Sequence, residues 1–156
     1  MASQSAGLLL YRLHDGALEV LIAHMGGPFW ARREEGAWSI VKGEHDEREE
    51  PLAAARREFA EETGASAPAG PAIELGEIRQ SGGKLVRAWA VEGDFDPDAL
   101  LSNTFELQWP PRSGRKAEFP EIDRVRWCDA ATARRLLVKA QSALVDRLEQ
   151  RLAEAG

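Results

Sequence analysis

Apolar positions open the chain in two short runs, Leu8–Leu13 and Ala17–His24, separated by His14-Asp15-Gly16. Runs of this length around an Asp-Gly step predict a β-hairpin. The apolar stretch Ala6–Tyr11 is too short to cross a membrane and is interrupted by Arg12, so it reads as strand, with no secretory leader expected. Met25–Ala37, with Gly26-Gly27-Pro28 and Phe29-Trp30, breaks the pattern and reads as a loop that displays aromatic rings. Trp38-Ser39-Ile40-Val41 predicts a short strand leading into Lys42-Gly43.

Periodicity then changes from two to 3.6. Pro51 suits a first helical turn, Gly64 a C-terminal cap, and Leu52, Ala55, Phe59 and Thr63 form one apolar stripe. Ala54 and Ala55 are expected to flank the charged face and leave room above it. Ile73–Gln80 and Lys84–Glu92 predict a second hairpin around Ser81-Gly82-Gly83, and Thr104–Trp109 and Arg124–Trp127 further strands. Asp129 is an N-cap for a terminal helical region reaching about Glu154, with Leu136, Leu137, Leu144, Leu148 and Leu152 on its apolar face. Strands, helix, strands, helix, with no internal repeat or long linker, predict one mixed α/β domain over 1–156.

A net charge of −6 argues against a broad nucleic-acid or anionic-membrane surface. The single cysteine, Cys128, allows no intrachain disulfide, fits a reducing cytoplasm and reads as a core residue beside Trp127.

The acidic residues change the picture more. Glu44, Glu47, Glu49, Glu50, Glu58, Glu61 and Glu62 crowd around one predicted helix. Glu58, Glu61 and Glu62 lie at i, i+3 and i+4, within about a third of the helix circumference. Like charges at this spacing repel by about 0.2–0.5 kcal/mol per pair unless a cation lies among them. A hard divalent cation such as Mg²⁺ or Mn²⁺ takes an all-oxygen donor set of this kind.

Gly43, Glu49 and Arg57-Glu58-Phe59-Ala60-Glu61-Glu62-Thr63-Gly64-Ala65 resemble the Nudix box, G-x5-E-x7-R-E-U-x-E-E-x-G-U with U apolar, matching every fixed position. Ala65 is smaller than the usual U residue. The resemblance implies a Nudix-type α/β/α sandwich with a mixed sheet and a loop-helix-loop motif, and metal-dependent cleavage of a diphosphate. It implies Glu58, Glu61 and Glu62 as metal ligands, the Lys42 carbonyl as a further one, Glu49 paired with Arg57 to hold the carboxylates, and Gly43 bringing the backbone close. In several branches a further carboxylate lies six residues before a tryptophan; here that is Glu121 before Trp127, with Glu118 the second candidate for base or extra ligand.

Trp38-Ser39-Ile40-Val41-Lys42-Gly43 is similar to the W-x-x-P-K-G segment of dinucleoside polyphosphate and diphosphoinositol polyphosphate hydrolases, with Val41 in place of the proline. Over nearly its full length the chain resembles bacterial Nudix proteins described as predicted NTP pyrophosphohydrolases. Candidate phosphate contacts are Lys42, Arg32, Arg33, Lys84, Arg112, Arg115 and Lys116; Trp30, Phe29 and Trp109 are candidate base platforms, Trp30 foremost. The leading expectation is a Mg²⁺-dependent hydrolase of a nucleoside polyphosphate, with a dinucleoside polyphosphate as one form. Alternatives are a MutT-like (d)NTP pyrophosphohydrolase, a hydrolase of a non-nucleotide diphosphate, and a non-catalytic nucleotide-binding regulator. The Leu-rich C-terminal helix serves either a homodimer or the covering of the sheet.

Overall fold

A computed structural model describes residues 4–155; residues 1–3 and 156, the ends of the expected domain, lie outside them. The first hairpin joins β1 (Gln4–His14) to β2 (Ala17–Met25). It turns through Asp15 and Gly16 at φ 52° and 81°, the positive dihedrals that match the twist of a two-residue hairpin. β3 (Trp38–Ser39) and β4 (Val41–Glu44) precede α1 (Pro51–Thr63), followed by β5 (Ala72–Arg79), β6 (Leu85–Glu92), β7 (Thr104–Gln108), β8 (Lys116–Pro120) and β9 (Ile122–Asp129). The chain closes with α2 (Ala130–Leu136) and α3 (Ser142–Ala155).

β1 starts before the predicted Leu8 because it is the organising strand of a mixed seven-stranded sheet. One edge of β1 runs parallel to β6 over Gln4–Tyr11. Its other edge is shared: Tyr11–His14 pair with β2, and Ser5–Leu8 pair with β4. β2 thus leaves β1 partway along, pairing instead with β3 at Ala23 and His24, and with β9 on its far edge. The sheet forks here. The segment predicted as one strand, Trp38–Val41, crosses the fork and divides at Ile40 into β3 and β4.

Ile40 is therefore outside both ladders, and a side chain replaces the missing backbone acceptor. Gln141 Oε1 accepts from Ile40 N–H at 2.8 Å, while its Nε2 donates to Ser39 Oγ at 3.0 Å and Gln80 Oε1 at 2.8 Å. Gln141 is fully buried, where an unpaired amide is costly.

Alternation along β1 builds two cores. Leu9 and Tyr11 join a layer with Leu136, Leu144, Val145 and Leu148 of the C-terminal helices. Ala6, Leu8 and Leu10 face the opposite layer, with Ala54, Ala55 and Phe59 of α1. The fold is the expected α/β/α sandwich. Ala54 and Ala55 do not leave room for ions; both are fully buried and let α1 approach the sheet closely. Phe59 anchors that contact, and burial of a side chain its size contributes about 1.5–3 kcal/mol.

Two other expectations change. The terminal helical region is broken, because Leu137 and Val138 are extended and Val138 N–H donates to Trp38 O at 2.9 Å. β3 captures this backbone before helix resumes at Ser142. Lys116–Pro120, not among the predicted strands, pairs with β7 as a separate two-stranded arm. Cys128 is buried, and burial pushes its thiol up to about 11. No described helix is long and apolar enough to cross a membrane.

Replacing Gln141 by Leu removes three hydrogen bonds at the fork and orphans the Ile40 N–H. Urea unfolding of Gln141→Leu should show a loss of about 1–3 kcal/mol at unchanged slope; a loss under about 0.5 kcal/mol, the range of an ordinary surface change, contradicts this account.

Candidate functional site

α1 presents two buried stripes side by side. Ala55, Phe59 and Thr63 face the sheet, and Ala54, Glu58 and Glu62, also four apart, lie next to them. Because this second stripe lies over the forked end of the sheet, two carboxylates are carried inward with the helix. Glu50 caps the N-terminus by accepting from Ala53 N–H at 2.8 Å, and Gly64, at φ 80°, closes the C-terminus. A Cβ built on Gly43 would lie 2.0 Å from the Glu58 carboxyl carbon, so any larger residue here would displace the Glu58 carboxylate from its place against β4.

Arg57 organises the outer side. Its Nε and Nη2 donate to the two Glu49 oxygens at 2.7 and 2.9 Å, a bidentate pair. Its Nη1 donates to Glu58 at 2.9 Å and to Glu61 at 3.0 Å. These bonds, that to Glu49 foremost, hold the guanidinium above its ordinary pKa and Glu49 below its own.

A cleft of about 500 Å³ opens where the sheet forks. Its walls bring together Glu58, Glu61, Glu62 and Glu121 with Lys42, Gly43, Glu44, Lys84 and Asn103, over a floor that includes Ala23, His24 and Ile40. Lys84 pairs with Glu44 at 3.2 Å. Burial and then the Glu121, Glu58 and Glu61 charges push the Glu62 carboxyl up to about 8. Burial also raises Glu58, and burial with neighbouring Lys84 brings the Lys42 ammonium down to about 8.

The donor chemistry fits a hard divalent cation: carboxylates converge on one cleft, and one of them is perturbed first by burial and then by the charge of the others. Among the described residues, no three His, Cys, Asp or Glu side chains stand in chelating proximity, since Glu58 and Glu61 turn toward Arg57. A cation held by Glu58 and Glu61 would compete with Arg57 Nη1 for those oxygens.

Glu118 stands on β8 opposite Glu106, outside the cleft wall that contains Glu121. Trp109 follows β7 and packs edge-on against Phe29 with centroids 5.7 Å apart, and Arg115 lies exposed in the β7–β8 turn; neither lines the cleft. Trp30 lines a second, more apolar cavity of about 680 Å³ with Gln80, Ser81, Val138, Ala140 and Ala143; Met25 belongs to the walls of both cavities. Asn103 was missed by sequence reasoning. With its amide nitrogen turned toward the helix it donates to Glu62 Oε1 at 2.9 Å, yet nothing in its neighbours along the chain marks it.

A family model described as the NUDIX domain matches residues 3–148. Among solved structures, an Ap4A hydrolase from C. elegans in a binary complex is similar at TM-score 0.69 and 20% identity, over 96% of this chain and 98% of that one. The NUDIX domain of Shewanella oneidensis NrtR, complexed with ADP ribose, is similar at TM-score 0.66 and 17% identity, over 97% and 89%. A MutT/nudix family protein from Enterococcus faecalis reaches TM-score 0.67 at 17% identity, over 99% of this chain and 63% of that one. At these identities the likeness is one of fold. No curated protein matches the chain in sequence.

The Glu62 shift has a stability consequence. Its folded pKa of about 8 lies above the ordinary 4.5, so the folded chain keeps a proton that the unfolded chain has released. The stability this proton confers is complete below about pH 4.5 and is lost as pH rises through about 8. In EDTA, Glu62→Gln should therefore melt higher than the parent at pH 9, with the gap closing toward pH 4.5. A gap of the opposite sign at pH 9 contradicts the buried-carboxylate reading.

Proposed function

This chain belongs to the Nudix family, and on that footing we propose that it is a divalent-metal-dependent hydrolase cleaving a diphosphate bond in a nucleoside polyphosphate. The observation that carries the reading is the convergence of Glu58, Glu61, Glu62 and Glu121 on one cleft that also contains Lys42 and Lys84. Acids alone would repel a polyphosphate; acids that gather a cation, beside two lysines, recruit one.

Glu58, Glu61 and Glu62 would hold Mg²⁺ or Mn²⁺, with the Lys42 carbonyl as a further ligand. When bound, such a cation neutralises phosphate oxygens and lowers the pKa of water. The protein's own groups do the rest. Arg57, fixed by Glu49, keeps Glu58 and Glu61 from drifting apart. The Lys42 and Lys84 ammonium groups bind phosphate oxygens as point charges. Glu121, on the opposite wall from α1, takes the proton of the attacking water; the water oxygen bonds to phosphorus and the bridging P–O bond breaks. Glu121 is favoured over Glu118 because it alone lines the cleft.

The nucleoside is assigned to the neighbouring cavity, whose volume of about 680 Å³ and Trp30 wall suit a flat ring. The Trp38–Gly43 segment, and the fold shared with the C. elegans Ap4A hydrolase, support dinucleoside polyphosphates as the first substrates to test.

A phosphate-release screen with Mg²⁺ and Mn²⁺ across dinucleoside polyphosphates, nucleoside triphosphates, nucleotide sugars and diphosphoinositol polyphosphates should find one class turned over. Glu62→Gln should lower that turnover by at least about 10²-fold with the fold intact; equal activity in the variant overturns the assignment. Trp30→Ala should raise KM for a nucleotide more than it lowers kcat, and no kinetic effect removes Trp30 from the substrate site.

A further inference from the structure

Residues 101–103 run between the last turn of α1 and the start of β9, bonded to both. On the helix side, Leu101 N–H donates to Thr63 O at 2.9 Å and Asn103 N–H donates to Glu61 O at 3.3 Å. On the other side, Asn103 O accepts from Glu121 N–H at 2.9 Å. Ser102 Oγ reinforces this by donating to Asn103 O at 2.8 Å while accepting from Ile122 N–H at 3.0 Å.

The side chain adds a contact that the backbone bracket does not need. The Asn103 amide nitrogen, in the orientation that satisfies its surroundings, donates to Glu62 Oε1 at 2.9 Å and Oε2 at 3.2 Å. Among the described residues it is the one side-chain donor to Glu62. Asn103 itself is exposed, so neither core packing nor a buried amide in need of a partner explains the contact. One residue thus touches the Glu61 backbone, the Glu62 carboxylate and the Glu121 backbone, which lie on chain segments sixty residues apart.

The division of labour with Arg57 is informative. Arg57 orients Glu58 and Glu61 but does not reach Glu62. A cationic donor there would orient the carboxylate and cancel its charge together. A neutral amide orients it and leaves the charge for an incoming cation.

We propose that Asn103 is a positioning residue, whose amide fixes the Glu62 carboxylate in the cleft and whose backbone sets the spacing between α1 and Glu121. The inference rests on the reading of Glu62 as a metal-holding carboxylate, so its test must separate the two. Mn²⁺ binding is measured on the full chain without substrate, by the electron paramagnetic resonance of free Mn²⁺, for the parent, Asn103→Ala, Asn103→Gln and Glu62→Gln. Truncation leaves the Asn103 backbone bonds in place, and circular dichroism checks that each variant folds.

Asn103→Ala is expected to raise the Mn²⁺ Kd about tenfold or more, with Asn103→Gln, which keeps the amide, within about threefold of the parent. With a substrate, Asn103→Ala should lower kcat more than it changes KM. Three outcomes overturn the proposal. If Glu62→Gln weakens Mn²⁺ binding and Asn103→Ala does not, the metal reading stands and the positioning role fails. Equal losses in Asn103→Ala and Asn103→Gln assign the effect to shape rather than to the amide. If all variants bind Mn²⁺ like the parent, the metal reading fails and this one with it.

Discussion

The fork between β1 and β2 is the constraint on which the rest of the structure depends. A continuous sheet would pair every backbone group and leave no opening; here two strands part and one short segment crosses between them. The crossing leaves the Ile40 N–H without a ladder partner, and it donates to Gln141 Oε1. That requirement explains a second irregularity, the break between α2 and α3, since the extended turn at Leu137 and Val138 leads Gln141 inward. The open end of the sheet, the side chain that closes it and the broken helix are one structural solution. The acidic cleft lies in the gap it leaves.

Over that gap, α1 carries a conflict that its sequence makes unavoidable. The residues that place Ala54 and Phe59 against the sheet also take Glu58 and Glu62 out of water. A solvated glutamate face would relax by turning outward, but the helix cannot rotate without exposing Phe59. Stability from apolar burial is thereby coupled to unfavourable crowding of carboxylates, an arrangement characteristic of sites whose chemistry needs perturbed groups. Arg57 relieves the outer half of the conflict, at Glu58 and Glu61, and does not reach the inner half at Glu62.

Much of this was legible in the sequence because it is local. The Asp15-Gly16 turn, the Pro51 and Gly64 boundaries of α1 and the acid spacing are fixed by residues within a few positions of one another. What escaped depends on distant partners. β8, which starts at Lys116 just after Arg115, is not among the predicted strands because its pairing comes from β7. Ala54 and Ala55 read as spacers beside the charged face because small residues carry no sign of which side is buried. Asn103 and Gln141 are single polar residues whose side-chain partners lie forty or more positions away, and no spacing rule identifies such residues.

Cys128 carries a practical consequence. As the chain's one cysteine, buried in the layer between the sheet and its helical cover and with its thiol pushed up to about 11, it is almost entirely un-ionised at neutral pH. The thiolate is the form that attacks alkylating reagents, so the native thiol reacts slowly with them in the folded state. A cysteine introduced on the exposed turn of the β7–β8 arm, at Ser113 for example, would then take up a fluorophore alone, with no need to remove the native one. The protein is in effect a ready-made frame for single-site optical labelling, its own sulfur serving as an internal gauge: when that sulfur begins to react, the fold has opened.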